Sequence, residues 1–204
     1  MRIKYKKPWT INPDPISYDM NSGSILDFNK SETFYFFINF SLPYTTEELG
    51  KVDKYSNIVW KGNDELGIQL IDKKLIFTFR QASNFKVINL EYDFGKQKDL
   101  EVLVTGNNLN TVIFINKIQT HVIDSAIVFN NTSTYNFGGG HGDNIEFDIN
   151  LLSLGTQYLE NGNTEVIDPS LTNVLGHYRF DKNTEEKSWD YSPHFNLINR
   201  FYLD

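Results

Sequence analysis

Between residues 98 and 123 the sequence KDLEVLVTGNNLNTVIFINKIQTHVI sets the terms on which this chain can fold. Leu100, Val102 and Val104 alternate with Glu101, Leu103 and Thr105, and Val112, Phe114 and Ile118 alternate with Ile113, Ile115 and Lys117. Side chains that change sides at every residue belong to extended backbone. Gly106-Asn107-Asn108-Leu109-Asn110 separates the two runs with residues that tolerate turn backbone, and Asn116-Lys117 offers a tight turn into a third run, 118–123. The stretch therefore predicts a three-strand antiparallel meander. Leu103, Ile113 and Ile115 add apolar side chains to the second face, so these strands are expected to be covered on both sides, in the middle of a sheet pair, without an open edge.

The rest of the chain repeats the rhythm. Strands are predicted at 24–29 and at 33–42, where Phe34, Phe36, Ile38 and Phe40 share one face and Tyr35 and Phe37 the other. Thr45-Thr46-Glu47-Glu48 supports at most one helical turn. Residues 58–60, 67–71 and 74–79 form a ladder divided by polar turns, and 87–92 leads into the meander. A short apolar run, 126–129, precedes polar residues and the cluster Gly138-Gly139-Gly140-His141-Gly142, read as a tight connection or as the floor of a shallow site. Beyond it Ile145, Phe147, Ile149 and Leu151 are expected on one face.

Aromatic residues make up 15% of the 204 and long amphipathic helical patterns are missing, which favours an all-β fold. A sandwich of this length can be a single domain, here 21–204, preceded by an extended arm, 1–20. Pro8, Pro13 and Pro15 argue against a regular strand or helix across the arm, while Trp9, Ile11, Ile16 and Tyr18 give it apolar side chains for docking on its own domain or on a neighbour. The net charge of −7 argues against nucleic acid as a partner, and Arg2, Lys4, Lys6 and Lys7 read as a solvated basic cluster. With no cysteine, disulfides and thiolate metal sites are excluded. No run approaches the roughly 20 apolar residues that span a bilayer, and residues 1–10 lack the apolar core of a secretion signal, so neither a membrane association nor export by that route is expected.

The order of strand, polar turn, strand ending in Phe114-Ile115-Asn116-Lys117, short turn and strand resembles the central meander of laminin-G-like domains, which are concanavalin A-like jelly rolls. Lys117 stands where that family usually has Gly, and its Trp-His pair is absent. The ladder at 58–79 is similar to the family more closely. Leu175-Gly176-His177-Tyr178-Arg179-Phe180-Asp181, followed by Trp189-Asp190-Tyr191-Ser192-Pro193-His194-Phe195-Asn196, resembles a pattern of the laminin-G-like domains found in bacterial and phage surface proteins, with Pro193 and His194 replacing a Gly-rich pair. The family opens a domain with this pattern. Here it lies at the end, so it is expected to close the same sandwich, because a repeat of about 30 residues could not bury its own face.

The resemblance covers roughly residues 24–199 and implies a two-sheet antiparallel jelly-roll sandwich. It also implies a non-catalytic structural or adhesion module of a virion (phage tail, baseplate, fibre or capsid-decorating protein), made in the host cytoplasm. Expected partners are other virion or surface-assembly proteins reached through the arm, host glycan, and further copies of the chain in a homo-oligomer. The alternatives are a glycan hydrolase of the laminarinase and lichenase type and a secreted carbohydrate-binding lectin. For the first, Glu146 and Asp148 occupy two positions of a Glu-x-Asp-x-x-Glu strand motif. Leu151 stands at the third, which removes the acid a retaining mechanism needs, so no catalytic residue is expected.

Aromatic side chains can stack on the apolar face of a sugar ring, and Tyr44, Tyr55, Trp60, Tyr135 and Phe137, at or near predicted loops, are the glycan-binding candidates together with His141 in the glycine cluster. Calcium is the one cofactor worth testing. Asp181, Asp190 and Asn196, or Asp143 and Asn144, could supply its oxygen ligands from loops. His121, His141, His177 and His194 show no paired spacing of a zinc site or catalytic triad, and His177 is expected as a satisfied core or edge residue.

Overall fold

Alternating apolar residues build two antiparallel sheets, and the computed structural model describes residues 2–3, 9–11, 33–42, 55–61, 65–71, 74–81, 87–127, 135–137, 147–179, 187–189, 191 and 197–200. The strands are β1 Arg2–Ile3, β2 Trp9–Ile11, β3 Thr33–Ser41, β4 Tyr55–Lys61, β5 Leu66–Ile71, β6 Lys74–Arg80, β7 Val87–Asp93 and β8 Asp99–Asn107. There follow β9 Thr111–Ile115, β10 Ile118–Ile123, β11 Tyr135–Phe137, β12 Phe147–Gly155, β13 Val174–Arg179, β14 Lys187–Trp189 and β15 Leu197–Arg200. Sheet I runs β1-β12-β3-β8-β9-β10 with β13 also on β12, and sheet II runs β14-β15-β2-β11-β4-β5-β6-β7. The protein is thus an all-β, two-sheet antiparallel sandwich, as its periodicity requires.

Between the sheets lies the main core. Phe34, Phe36, Ile38 and Phe40 of β3 meet Leu66, Ile68 and Leu70 of β5 and Leu75, Phe77 and Phe79 of β6, with Val102, Val104, Ile113 and Ile115 beside them. Phe40 and Phe147 touch edge to face, with ring centroids 6.1 Å apart. The other face of sheet I is buried too. Tyr35, Phe37, Leu103, Val112, Phe114 and Leu159 form a second cluster, completed by Leu151 and Ile167. Its cover is not a sheet but the connection between β12 and β13, which carries short 3-10 turns at Glu160–Gly162 and Thr164–Val166. Thr105, fully buried, ties that cover to β8: its Oγ1 donates to the Phe34 carbonyl (3.0 Å) and accepts from the Leu159 N–H (3.0 Å).

Four expectations need correction. Among the described residues the meander has an unpaired edge, because there β10 pairs only with β9 and Ile118 and Val122 are 68% and 51% exposed. The apolar second face of β8 and β9 reflects the cover at 156–173, not another strand beyond β10. Second, Phe147, Ile149 and Leu151 do not keep one phase, and Ile145 lies outside the described residues. A bulge between Ile149 and Leu151 sends Leu152 and Leu154 into the main core and turns Leu151 to the second cluster. Exposed Asn150 holds the bulge, its Nδ2 donating to Asn39 Oδ1 and Ser41 Oγ, both at 2.9 Å.

Third, the arm is not devoid of strands: β1 pairs with β12, and β2 pairs with β11 and β15. The prolines punctuate these short pieces, since Pro8 immediately precedes β2 and none lies within it. Fourth, Tyr135 and Phe137 stand in β11, inside sheet II. The tail enters both sheets, β13 on β12 and β15 on β2. Residues 24–29 and 45–48 and the glycine cluster lie outside the described residues.

The turn after β9 is as its sequence suggests. Asn116 and Lys117 both take positive φ, 49° and 66°, the pair of left-handed conformations that a two-residue hairpin with the right twist demands. Asn116 secures it by accepting the Glu101 N–H (2.8 Å) on its Oδ1 and donating to Gln97 Oε1 (2.8 Å).

Candidate functional site

The outer face of sheet I is covered around the second cluster and carries exposed polar residues such as Asn150 and Gln119 beyond it. Sheet II presents an outward face, and its composition follows from register. In β5 to β7 the inward residues are apolar, so the alternate positions, Gly67, Gln69, Ile71, Lys74, Ile76, Thr78, Asn89 and Glu91, look outward. Pairing aligns them in rows across the strands: Asn57, Gln69, Ile76 and Glu91 in one, and Trp60, Gly67, Thr78 and Asn89 in the next. Successive rows are about 7 Å apart along a strand.

Trp60 is half-buried and its indole packs against Gly67; a Cβ at residue 67 would run into the ring and would also sit 3.2 Å from the Thr78 Cβ. Glycine here gives the indole room against the sheet. Beside it the polar groups are held in place. Gln69 Nε2 donates to Asn57 Oδ1 (2.9 Å), Thr78 Oγ1 donates to Asn89 Oδ1 (2.8 Å), and Lys74 Nζ pairs with Glu91 Oε2 at 2.6 Å. Gln69, Ile71, Lys74, Ile76, Asn89 and Glu91 line a shallow depression of about 420 Å³. Amide, hydroxyl, ammonium and carboxylate groups around a shallow trough next to an indole can hydrogen-bond hydroxyls while stacking a ring.

Of the candidates read from sequence, Trp60 is on this face, in β4 as its place in the predicted ladder requires. Tyr55 shares β4 with it, opposite Ile71, while Tyr135 and Phe137 pair in register with Lys61 and Trp9 of neighbouring strands. For Tyr135 and Phe137, two residues apart, that spacing is the available strand signal, outweighed by the surrounding asparagines and glycines. Tyr44, His141, Asp181, Asp190 and Asn196 lie outside the described residues, as do Asp143, Asn144 and Glu146. Among the described residues no cluster of three His, Asp or Glu side chains could hold a metal ion. Sequence reading missed Asn57, Gln69, Lys74, Thr78, Asn89 and Glu91, which only the pairing of β4 to β7 brings together.

Two histidines fall among the described residues. His177 is 9% exposed, with its Nδ1 3.2 Å from Ser153 Oγ. Ser153 is fully buried, its hydroxyl donates to the Gly176 carbonyl (3.3 Å), and Tyr35 Oη lies 3.1 Å away, so this Ser–His contact is a satisfied interior network without access for a substrate. His121 of β10 packs against Phe77, ring centroids 6.2 Å apart, and burial lowers its pKa from the usual 6.5, opposed by a hydrogen bond to the Glu91 backbone.

Because the folded-state pKa of His121 is depressed, the unfolded chain binds more protons between the two values. Its contribution to stability is full above pH 6.5 and is lost as pH falls through the folded pKa. The urea midpoint of the wild type should therefore fall relative to that of His121→Asn on going from pH 7 to pH 5. A gap between the two proteins that stays constant over this range would show that the imidazole does not titrate against folding.

The fold defines a class, a two-sheet antiparallel β-sandwich, whose sheet II carries Trp60 and a row of polar side chains on its outward side. No family model and no curated protein matches the chain. Among solved structures it is similar to the binding domain of botulinum neurotoxin serotype D, at 15% identity and a TM-score of 0.55 over 81% of this chain and 43% of that one. It is also similar to the binding domain of botulinum neurotoxin DC solved in complex with rat synaptotagmin II, at 18% identity and a TM-score of 0.52 over 79% of this chain and 42% of that one. The chain spans less than half the length of these domains, and the likeness is one of fold.

Proposed function

We propose that this chain is a non-catalytic recognition module that lays an oligosaccharide across the outward face of sheet II, as a structural or adhesion component of a virion. The observation that carries the binding role is the Trp60 indole resting on Gly67 next to the depression lined by Gln69, Lys74, Asn89 and Glu91. One sugar ring stacks on the indole, and the next, one row along, meets the amides and the ion pair. The two-sheet fold is shared with toxin binding domains, which supports a binding role without specifying a ligand. Leu151 packs against the second cluster where a hydrolase of this kind would carry its acid, which supports a role without catalysis.

Placement in a phage particle, among laminin-G-like surface modules, is supported by the tail sequence around Leu175–Asp181 and Trp189–Asn196 and by the meander. The binding test is a glycan array followed by titration of the best glycan into wild type, Trp60→Ala and Asn89→Ala. Saturable binding that weakens about tenfold or more in Trp60→Ala, a loss of about 1.4 kcal/mol, is the expected result. Absence of any glycan binding, or binding indifferent to Trp60, would overturn the site. Antibody labelling of intact particles tests the virion placement independently.

A further inference from the structure

Each sheet ends, on the same side of the sandwich, in a strand that pairs on one edge only among the described residues: β10 in sheet I and β7 in sheet II. The two ends differ in chemistry. β7 carries Glu91 and Asp93, charges of the kind that discourage another strand from pairing. β10, Ile118–Ile123, carries no formal charge in a chain of net charge −7, and it exposes Ile118 and Val122. In sequence it is flanked by Lys117, which pairs with Glu165 Oε1 at 3.1 Å on the exposed surface, and by Asp124, both exposed and of opposite sign.

We propose that the β10 edge pairs antiparallel with the same edge of a second copy, about a twofold axis between Thr120 and His121. In that register Lys117 of each copy faces Asp124 of the other, Ile118 faces Ile123, and Gln119 faces Val122. Opposite charges placed directly across an antiparallel pair attract, and the palindromic charge pattern closes both ends of the ladder at once.

The faces agree as well. Ile118, opposite Ile115 in β9, and Ile123, in the main core, lie on the inner side, while Gln119 and Val122 pair with Phe114 and Val112 of the outer cluster. Matching inner to inner and outer to outer lets sheet I continue through the axis without turning an apolar residue to the wrong side. The register shift between Gln119 and His121 falls at the centre of the strand, on the axis itself.

The test is light scattering of the purified chain at about 100 µM. Wild type is expected at twice the chain's 23.7 kDa. Lys117→Glu and Asp124→Lys, each of which sets like charges across both ends, should weaken the dimer at least about tenfold, while the double variant, with the charges exchanged, should restore it. Two exposed positions report on one contact, so failure of either variant to fold leaves the other to decide. A monomeric wild type, single variants that remain dimeric, or a double variant that is not rescued would each overturn the proposal. A dimer indifferent to both charges would point to another surface.

Discussion

Gly155→Ala is expected to lower the unfolding free energy by about 3 kcal/mol, and the melting temperature by roughly 6–12 °C for a chain of this size. Gly155 ends β12 at the point where the chain leaves sheet I, and the cover over the second cluster is closed there by the Thr156 N–H donating to the Asn173 carbonyl (2.8 Å). A Cβ at residue 155 would collide with that same carbonyl and would lie 2.5 Å from the Tyr35 ring. A flexible side chain could swing aside, but a backbone carbonyl already engaged in the hydrogen bond cannot. Tyr35 is fully buried and anchored to Ser153, so it offers no room either. Thermal melts of the two proteins settle the matter: a drop of less than about 2 °C would show that the base of the cover opens at little cost.

Phe114→Ala should cost still more, about 3–5 kcal/mol, the usual range for removing a buried phenyl ring. Phe114 is 6% exposed in β9 and is the floor on which the cover rests. Gly162 sits against its ring with φ of +68°, so close that a Cβ would lie 2.6 Å from Cδ1. Removing the ring leaves a void under the first 3-10 turn, and the cover has few other apolar anchors, chiefly Leu159 and Ile167. Phe114→Leu, which keeps most of the volume, should cost less than about 1.5 kcal/mol. Urea unfolding of both variants checks this. Equal losses would mean that the ring's shape, and not its volume, holds the cover.

Much of the sandwich was legible because its strands obey a strict period. In β3 the split between Phe34, Phe36, Ile38 and Phe40 on one side and Tyr35 and Phe37 on the other is the split between the two clusters. What escaped the sequence was decided by tertiary context. Asn150 gives no local sign of a bulge, yet the hydrogen bonds it makes to Asn39 and Ser41 shift the phase of everything after it in β12. The cover at 156–173 is polar and rich in turn residues, so only the unexplained apolar face of β8 and β9 announced it.

The candidate site was half legible for the same reason. Trp60 stands out as an aromatic residue, but its bed is a glycine in the next strand and its polar company comes from β5, β6 and β7. No single stretch of sequence contains that arrangement. The thirty or so residues joining Trp60 to Glu91 read as an ordinary ladder, and only the register converts them into a row of facing side chains.

The place of β12 has a consequence for how the chain comes together. It sits between β3 on one side and β1 and β13 on the other, and its contact with β3 joins residues as far apart as Tyr35 and Ser153, which are separated by 118 positions. Closing so long a loop is an entropic cost met before the contacts reward it, and topologies of this kind fold slowly. During synthesis the most aromatic strand of the protein must wait, one edge bare, until the polypeptide that will cover it has emerged from the ribosome, and for that interval β8 is the neighbour that pairs it.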